Sequence, residues 1–73
     1  MKSVSVIVII NNLVDKIETF REKEVSKAEK CFYDRCNEYF PDFDKRNQEY
    51  KDAILEDGYE KFDNGSICLT WSE

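Results

Sequence analysis

Val4-Ser5-Val6-Ile7-Val8-Ile9-Ile10-Asn11-Asn12 opens this chain with a β-branched run that is apolar on both faces and ends in two asparagines. Such a run of seven between polar residues reads as a strand, and it is far short of the roughly 20 residues that cross a bilayer. What the two asparagines do decides the rest. Asn12 is a good N-cap, Leu13 and Val14 fall in the first turn after it, and Asp15 suits the positive end of a helix.

On that reading a first helix runs from residue 13 to residue 39. At 100° per residue, Leu13, Val14, Ile17, Phe20, Val25, Ala28, Cys31, Phe32, Cys36 and Tyr39 fall on one arc of roughly 140°, the width of a core-facing stripe. Pro41 ends the helix, because the residue before a proline avoids the helical region. A second helix is expected over residues 43–57, capped by Asp42 or Asp44, with Phe43, Tyr50 and Ile54 inward. Gly58 then takes the left-handed position that closes it.

Asn64-Gly65 between Tyr59–Phe62 and Ile67–Trp71 signals a hairpin. A two-residue turn there pairs Phe62 with Ile67 and Glu60 with Leu69. Phe62, Ile67, Leu69 and Trp71 share one face, and Tyr59, Lys61, Cys68 and Thr70 share the other. Residues 1–73 are therefore expected to form one α+β domain of two layers, β-α-α-β-β. Both helices lie on one face of a three-stranded sheet of order 2-3-1. The opening strand can join that sheet only at an edge. Its residues Val4, Val6, Ile7, Val8, Ile9 and Ile10 become an apolar edge that invites a second copy, giving a homodimer through the first strand.

A 73-residue chain is near the size at which one core is marginal, so a staple is expected. Disulfides are not the expected one. Cys31 and Cys36 lie five apart on a helix, about 8 to 9 Å between Cα atoms and beyond bridging distance. With Cys68 they make an odd number and read as buried thiols in a reducing cytoplasm, and no small-residue cleavage site follows the first strand.

The net charge of −5 is unevenly spread. Residues 1–41 carry seven basic and seven acidic side chains, whereas residues 42–73 carry four basic and nine acidic ones. An acidic field repels phosphate backbones and favours a basic protein surface. Asp42, Asp44, Glu49, Asp52, Glu56 and Asp57 are the candidates for partner contact.

The absence of histidine removes the commonest general base and the Ser-His and Cys-His nucleophile pairs. The cysteines lack a C-x-x-C spacing. Asp42-Phe43-Asp44 begins like a calcium loop, but Arg46, Asn47 and Ala53 stand at its ligand and glycine positions. No catalytic residue, metal or cofactor is expected, and no membrane partner. The expected function is that of a small acidic protein–protein interaction module, an inhibitor or regulator that blocks a basic, nucleic-acid-handling partner. In size and charge alone the chain is similar to phage and mobile-element accessory proteins and small antitoxins. The alternative is a nucleic-acid binder using the first helix and the exposed sheet face.

Overall fold

A computed structural model describes residues 2–40 and 43–72. Four strands and two helices follow in the order β1 (Ser3–Ile10), β2 (Leu13–Arg21), α1 (Val25–Tyr39), α2 (Gln48–Asp57), β3 (Tyr59–Phe62) and β4 (Gly65–Ser72). A 3-10 turn at Glu22–Glu24 leads into α1, and another at Phe43–Lys45 precedes α2. The strands form one antiparallel sheet of order β2-β1-β4-β3. The α+β class and the two helices on one sheet face are as expected, while the number of strands and their order are not.

The correction begins at the asparagines. Asn11 and Asn12 have φ of 53° and 68°, the left-handed pair that a tight two-residue hairpin turn needs and that asparagine tolerates. The chain therefore reverses instead of entering a helix, and Leu13–Arg21 runs back along β1 with Ile7 opposite Ile17 and Ser3 opposite Arg21. A register shift between Val8 and Ile9 leaves Asp15 as a bulged residue. Only the second half of the expected first helix, Val25–Tyr39, is helical.

β1 consequently lies inside the sheet, paired along its whole length with β2 on one side and β4 on the other. Val4, Val6, Ile7, Val8, Ile9 and Ile10 are not an edge, and their backbone has no free ladder to offer a second copy. Val4, Val6 and Val8 are buried beneath the helices, whereas Ile7 and Ile9 are half-buried on the opposite face. The core gathers Val6 and Val8 with Cys31, Phe32 and Cys36 of α1, Phe43, Ile54 of α2 and Ile67 of β4.

α2 is shorter than expected because Asn47 caps it: the Tyr50 backbone N–H donates to Asn47 Oδ1 at 2.8 Å. Its other end is as the sequence indicates. Gly58 sits at φ 68° and its N–H donates to the Ile54 carbonyl at 2.8 Å. The β3–β4 hairpin turns at Asp63-Asn64, one step before the expected pair. Phe62 therefore faces Gly65 and Glu60 faces Ile67. That shift of two in the pairing sum keeps each side chain on its expected face.

Candidate interaction surfaces

The acidic residues divide into those that are neutralised and those that are not. Between α1 and β2, Arg35 Nη1 donates to both oxygens of Glu38 at 2.6 and 2.9 Å, and its Nε lies 3.7 Å from Glu18 Oε1. Lys16 Nζ is 3.6 Å from Glu38, and the Tyr39 hydroxyl donates to the bulged Asp15 at 3.0 Å. Along α1, Lys27 pairs with Glu24 and Lys30 with Asp34. These pairs use up most of the charge of the first half in short-range contacts.

The second half uses its cations differently. Arg46 stacks 4.6 Å from the Tyr50 ring centroid, and Lys51 lies 5.7 Å from the Phe43 ring while donating to the Asp44 backbone carbonyl at 3.2 Å. Aromatic faces and a carbonyl therefore take the positive charge that nearby carboxylates lack. Among the described residues, no cation stands within ion-pair distance of Asp44, Glu49, Asp52, Glu56 or Asp57, and all five are exposed. Glu49, Asp52 and Glu56 follow at i, i+3 and i+7, on the side of α2 turned away from buried Ile54. Asp57 extends the patch at the helix end, and Asp44 lies in the preceding 3-10 turn. Asp42 falls outside the described residues. The sequence singled out these acids by count alone; the pairing that leaves them unneutralised depends on β2, which it did not reveal.

A second surface was not foreseen as such. With both helices on one side, the other sheet face is uncovered. Ile17, Ile7, Cys68 and Tyr59 lie directly opposite one another in register, an apolar row across all four strands. Val14 and Ile9 extend it toward the turns. There a shallow cleft of about 450 Å³ opens between Asn11-Asn12 and Asp63-Asn64, with Ile9 and Tyr59 among its lining. Away from the turns the face is hydroxylic, and Ser3 bonds Ser72 at 2.9 Å and Ser5 bonds Thr19 at 3.0 Å.

Burial disfavours the thiolate form of all three cysteines. Cys31, Cys36 and Cys68 are all free. Burial, with Glu18 nearby, pushes the Cys31 thiol from its ordinary 9.0 up to about 11. Burial pushes Cys36 up to about 12, with a smaller contribution from Glu60. A reactive cysteine needs a shift in the opposite direction. Among the described residues, no three Cys, Asp or Glu side chains are grouped to hold a metal ion, and no helix is long and apolar enough to cross a membrane.

These shifts have a consequence for stability. Above pH 9 the unfolded chain loses thiol protons that the folded chain retains, so the unfolded state binds fewer protons and stability falls as pH rises. The urea midpoint is expected to hold up to about pH 9 and to fall between there and about pH 12, the window set by the raised Cys31 and Cys36 thiols. The fall should be shallower in Cys31→Ala/Cys36→Ala; equal slopes in the two proteins would remove the thiols as its cause.

No protein family, no curated protein and no solved structure matches this chain, so its two surfaces are the whole basis for a functional reading.

Proposed function

We propose that this chain is a small non-enzymatic interaction module that presents the carboxylates of α2 to a basic protein, as an inhibitor or regulator of a partner that handles nucleic acid. The observation that carries the reading is the run of exposed acids at Asp44, Glu49, Asp52, Glu56 and Asp57 that lack an ion pair among the described residues, with only the Asp52 carboxylate hydrogen-bonded, to neutral Gln48 Nε2 at 2.8 Å, beside a first half whose acids are largely paired. Unpaired carboxylates on a rigid helix keep their field available for a cationic surface, where they steer encounter and fix orientation. Negative charges spaced along a helix also compete for side chains that would otherwise hold phosphates.

The competing reading is a nucleic-acid binder using α1 and the open sheet face. Lys27 and Lys30 of α1 already pair with Glu24 and Asp34, and the open face offers only Arg21 and Lys61 as cations. That is too little positive charge to track a backbone against a net charge of −5.

The test compares the chain with Glu49→Gln/Asp52→Asn/Glu56→Gln/Asp57→Asn in pull-downs from the native host, followed by titration of the recovered partner at rising salt. The expected partner is basic. Its affinity should fall with salt and drop by about 10-fold or more in the variant, for charge contacts worth about 0.3–1 kcal/mol each. A partner held equally by both proteins, or indifferent to salt, would end this reading. Generic RNA and DNA in an electrophoretic shift at low salt should show no complex.

A further inference from the structure

The open sheet face is a surface in search of a cover, and its composition says what kind. Fourteen side chains point to it: four each from β1, β2 and β4 and two from β3. None is a carboxylate, although the chain has 16 acids in 73 residues. Three of the large apolar side chains with the greatest exposure stand on it, Val14 at 62%, Ile17 at 59% and Tyr59 at 51%. Monomeric proteins scatter such residues singly, whereas here they share one face with Ile7, Ile9 and Cys68 between them.

We infer that two copies of this chain pack face to face through these open sheets, forming a four-layer helix–sheet–sheet–helix dimer. Three observations select a second copy as the occupant. The first is charge. The face holds no carboxylate, and its two cations, Arg21 and Lys61, stand at opposite corners, so the uncharged middle of one face can meet that of its copy, while a strongly charged partner would find little to pair with. The second is the hydroxyl half. Ser3 with Ser72 and Ser5 with Thr19 already satisfy one another across strands, so covering them leaves few polar groups stranded.

The third is area. The molecule is a slab of 35 × 29 × 16 Å. Three strands of eight or nine residues and the four-residue β3 present a plane of about 450 Å² per copy, about 900 Å² for two, and side-chain relief on each face brings the pair to the roughly 1,000 Å² that a specific interface requires. A dimer also supplies the staple that so small a core calls for: among the described residues ten buried apolar side chains make the core, with no disulfide to assist them. The inference is independent of the acidic patch on α2, which lies on the other side of the slab and stays exposed in the dimer.

Cys68 makes the test direct, because it is the one thiol of the three that is not buried and it sits within the apolar row. Light scattering on the intact chain across a concentration series is expected to give twice the mass of one chain. Alkylation of Cys68, mapped by peptide mass, should slow as the dimer fills. Ile17→Glu and Tyr59→Glu alter the opposite ends of the row at exposed positions. Each should raise the dissociation constant by about 10-fold or more, since symmetry places every new charge in the interface twice. Far-UV circular dichroism checks that both variants fold.

A single-chain mass at every concentration up to about 1 mM, the floor of useful affinity, would overturn the proposal. A dimer in which Cys68 reacts as fast as in dilute solution would do the same. Loss of the dimer in Ile17→Glu but not in Tyr59→Glu would also overturn it, because it would place the contact at the free edge of β2 instead of across the face. Should either variant not fold, the Cys68 rate in the unaltered chain still decides.

Discussion

Replacing Gly65 by alanine is expected to remove about 3 kcal/mol or more of folding stability, at the upper end of what overpacking costs. A Cβ built at Gly65 overlaps the carbonyl oxygen of Ile9 and stands 2.9 Å from Phe62 Cζ and 3.0 Å from the Ile9 carbonyl carbon. The obstacle is mainly backbone, and that backbone cannot retreat. Ile9 is held in a strand paired on both sides, and the Asn11 N–H donates to the Asn64 carbonyl at 2.8 Å, which ties the two turns together beside it. A chain of 73 residues has a total stability of about 4 to 11 kcal/mol at 0.05–0.15 kcal/mol per residue, so the loss is a large share of the whole. Urea unfolding followed by circular dichroism measures it. A loss below about 1 kcal/mol would mean that β1 and β4 do not approach as closely as described. Gly58→Ala carries its own penalty of about 1–2 kcal/mol for a left-handed alanine, and its Cβ would lie 2.8 Å from the Leu69 carbonyl oxygen.

The same close approach of β1 and β4 shows which parts of this fold were legible. Gly58 announced the end of α2 because only a left-handed residue closes a helix in that way. The hairpin announced itself through a short polar segment between two β-rich runs. Both signals are local, and local signals survive folding unchanged. The face assignment of the hairpin survived even a misplaced turn, since moving the turn by one residue moves each cross-strand pair by two and leaves every side chain on its side.

β2 was hidden for a physical reason. A strand with one covered face usually alternates apolar inward and polar outward. In β2 the pattern is inverted: Lys16 and Glu18 face the helices, where Glu38 and Arg35 neutralise them, and Val14 and Ile17 face outward. With Lys16 and Glu18 in the middle of its inner face and Val14 and Ile17 on its outer one, the run Leu13, Val14, Ile17 and Phe20 shows a helical spacing that no helix uses. Asn11-Asn12 did not decide between the readings, since asparagine both caps helices and tolerates left-handed turns. The misplaced edge followed from this one error. Once β2 exists, β1 is interior and the exposed apolar residues move from a strand edge to a sheet face. The acidic half needed no fold to be noticed, but its unpaired state did. Only the β2 to α1 ion pairs and the stacking of Arg46 and Lys51 show which acids remain uncompensated.

Phe32→Ala is expected to destabilise the chain by about 3 to 5 kcal/mol, more than the loss of its single tryptophan, although tryptophan is the larger side chain. Phe32 is the largest fully buried side chain, at 0% exposure, and belongs to the cluster that joins α1 to Val6, Val8 and Ile67. Its removal leaves a cavity whose walls are strands paired on both sides and a 15-residue helix, none of which can collapse inward without breaking ladder bonds. Trp71 sits on the same helix-facing side of the sheet, opposite Val4, yet remains 48% exposed. β3 stops pairing at Cys68, so the last residues of β4 have no strand on their outer flank to cover them. Half its surface is therefore still in water, and Trp71→Ala should cost about 1.5 kcal/mol from the area it does bury. Urea midpoints of the two variants under identical conditions give the comparison, at a concentration low enough that any dimer has dissociated. If Trp71→Ala proved the more damaging change, the helical layer would have to extend over the end of β4, and the placement of α1 on this sheet would be wrong.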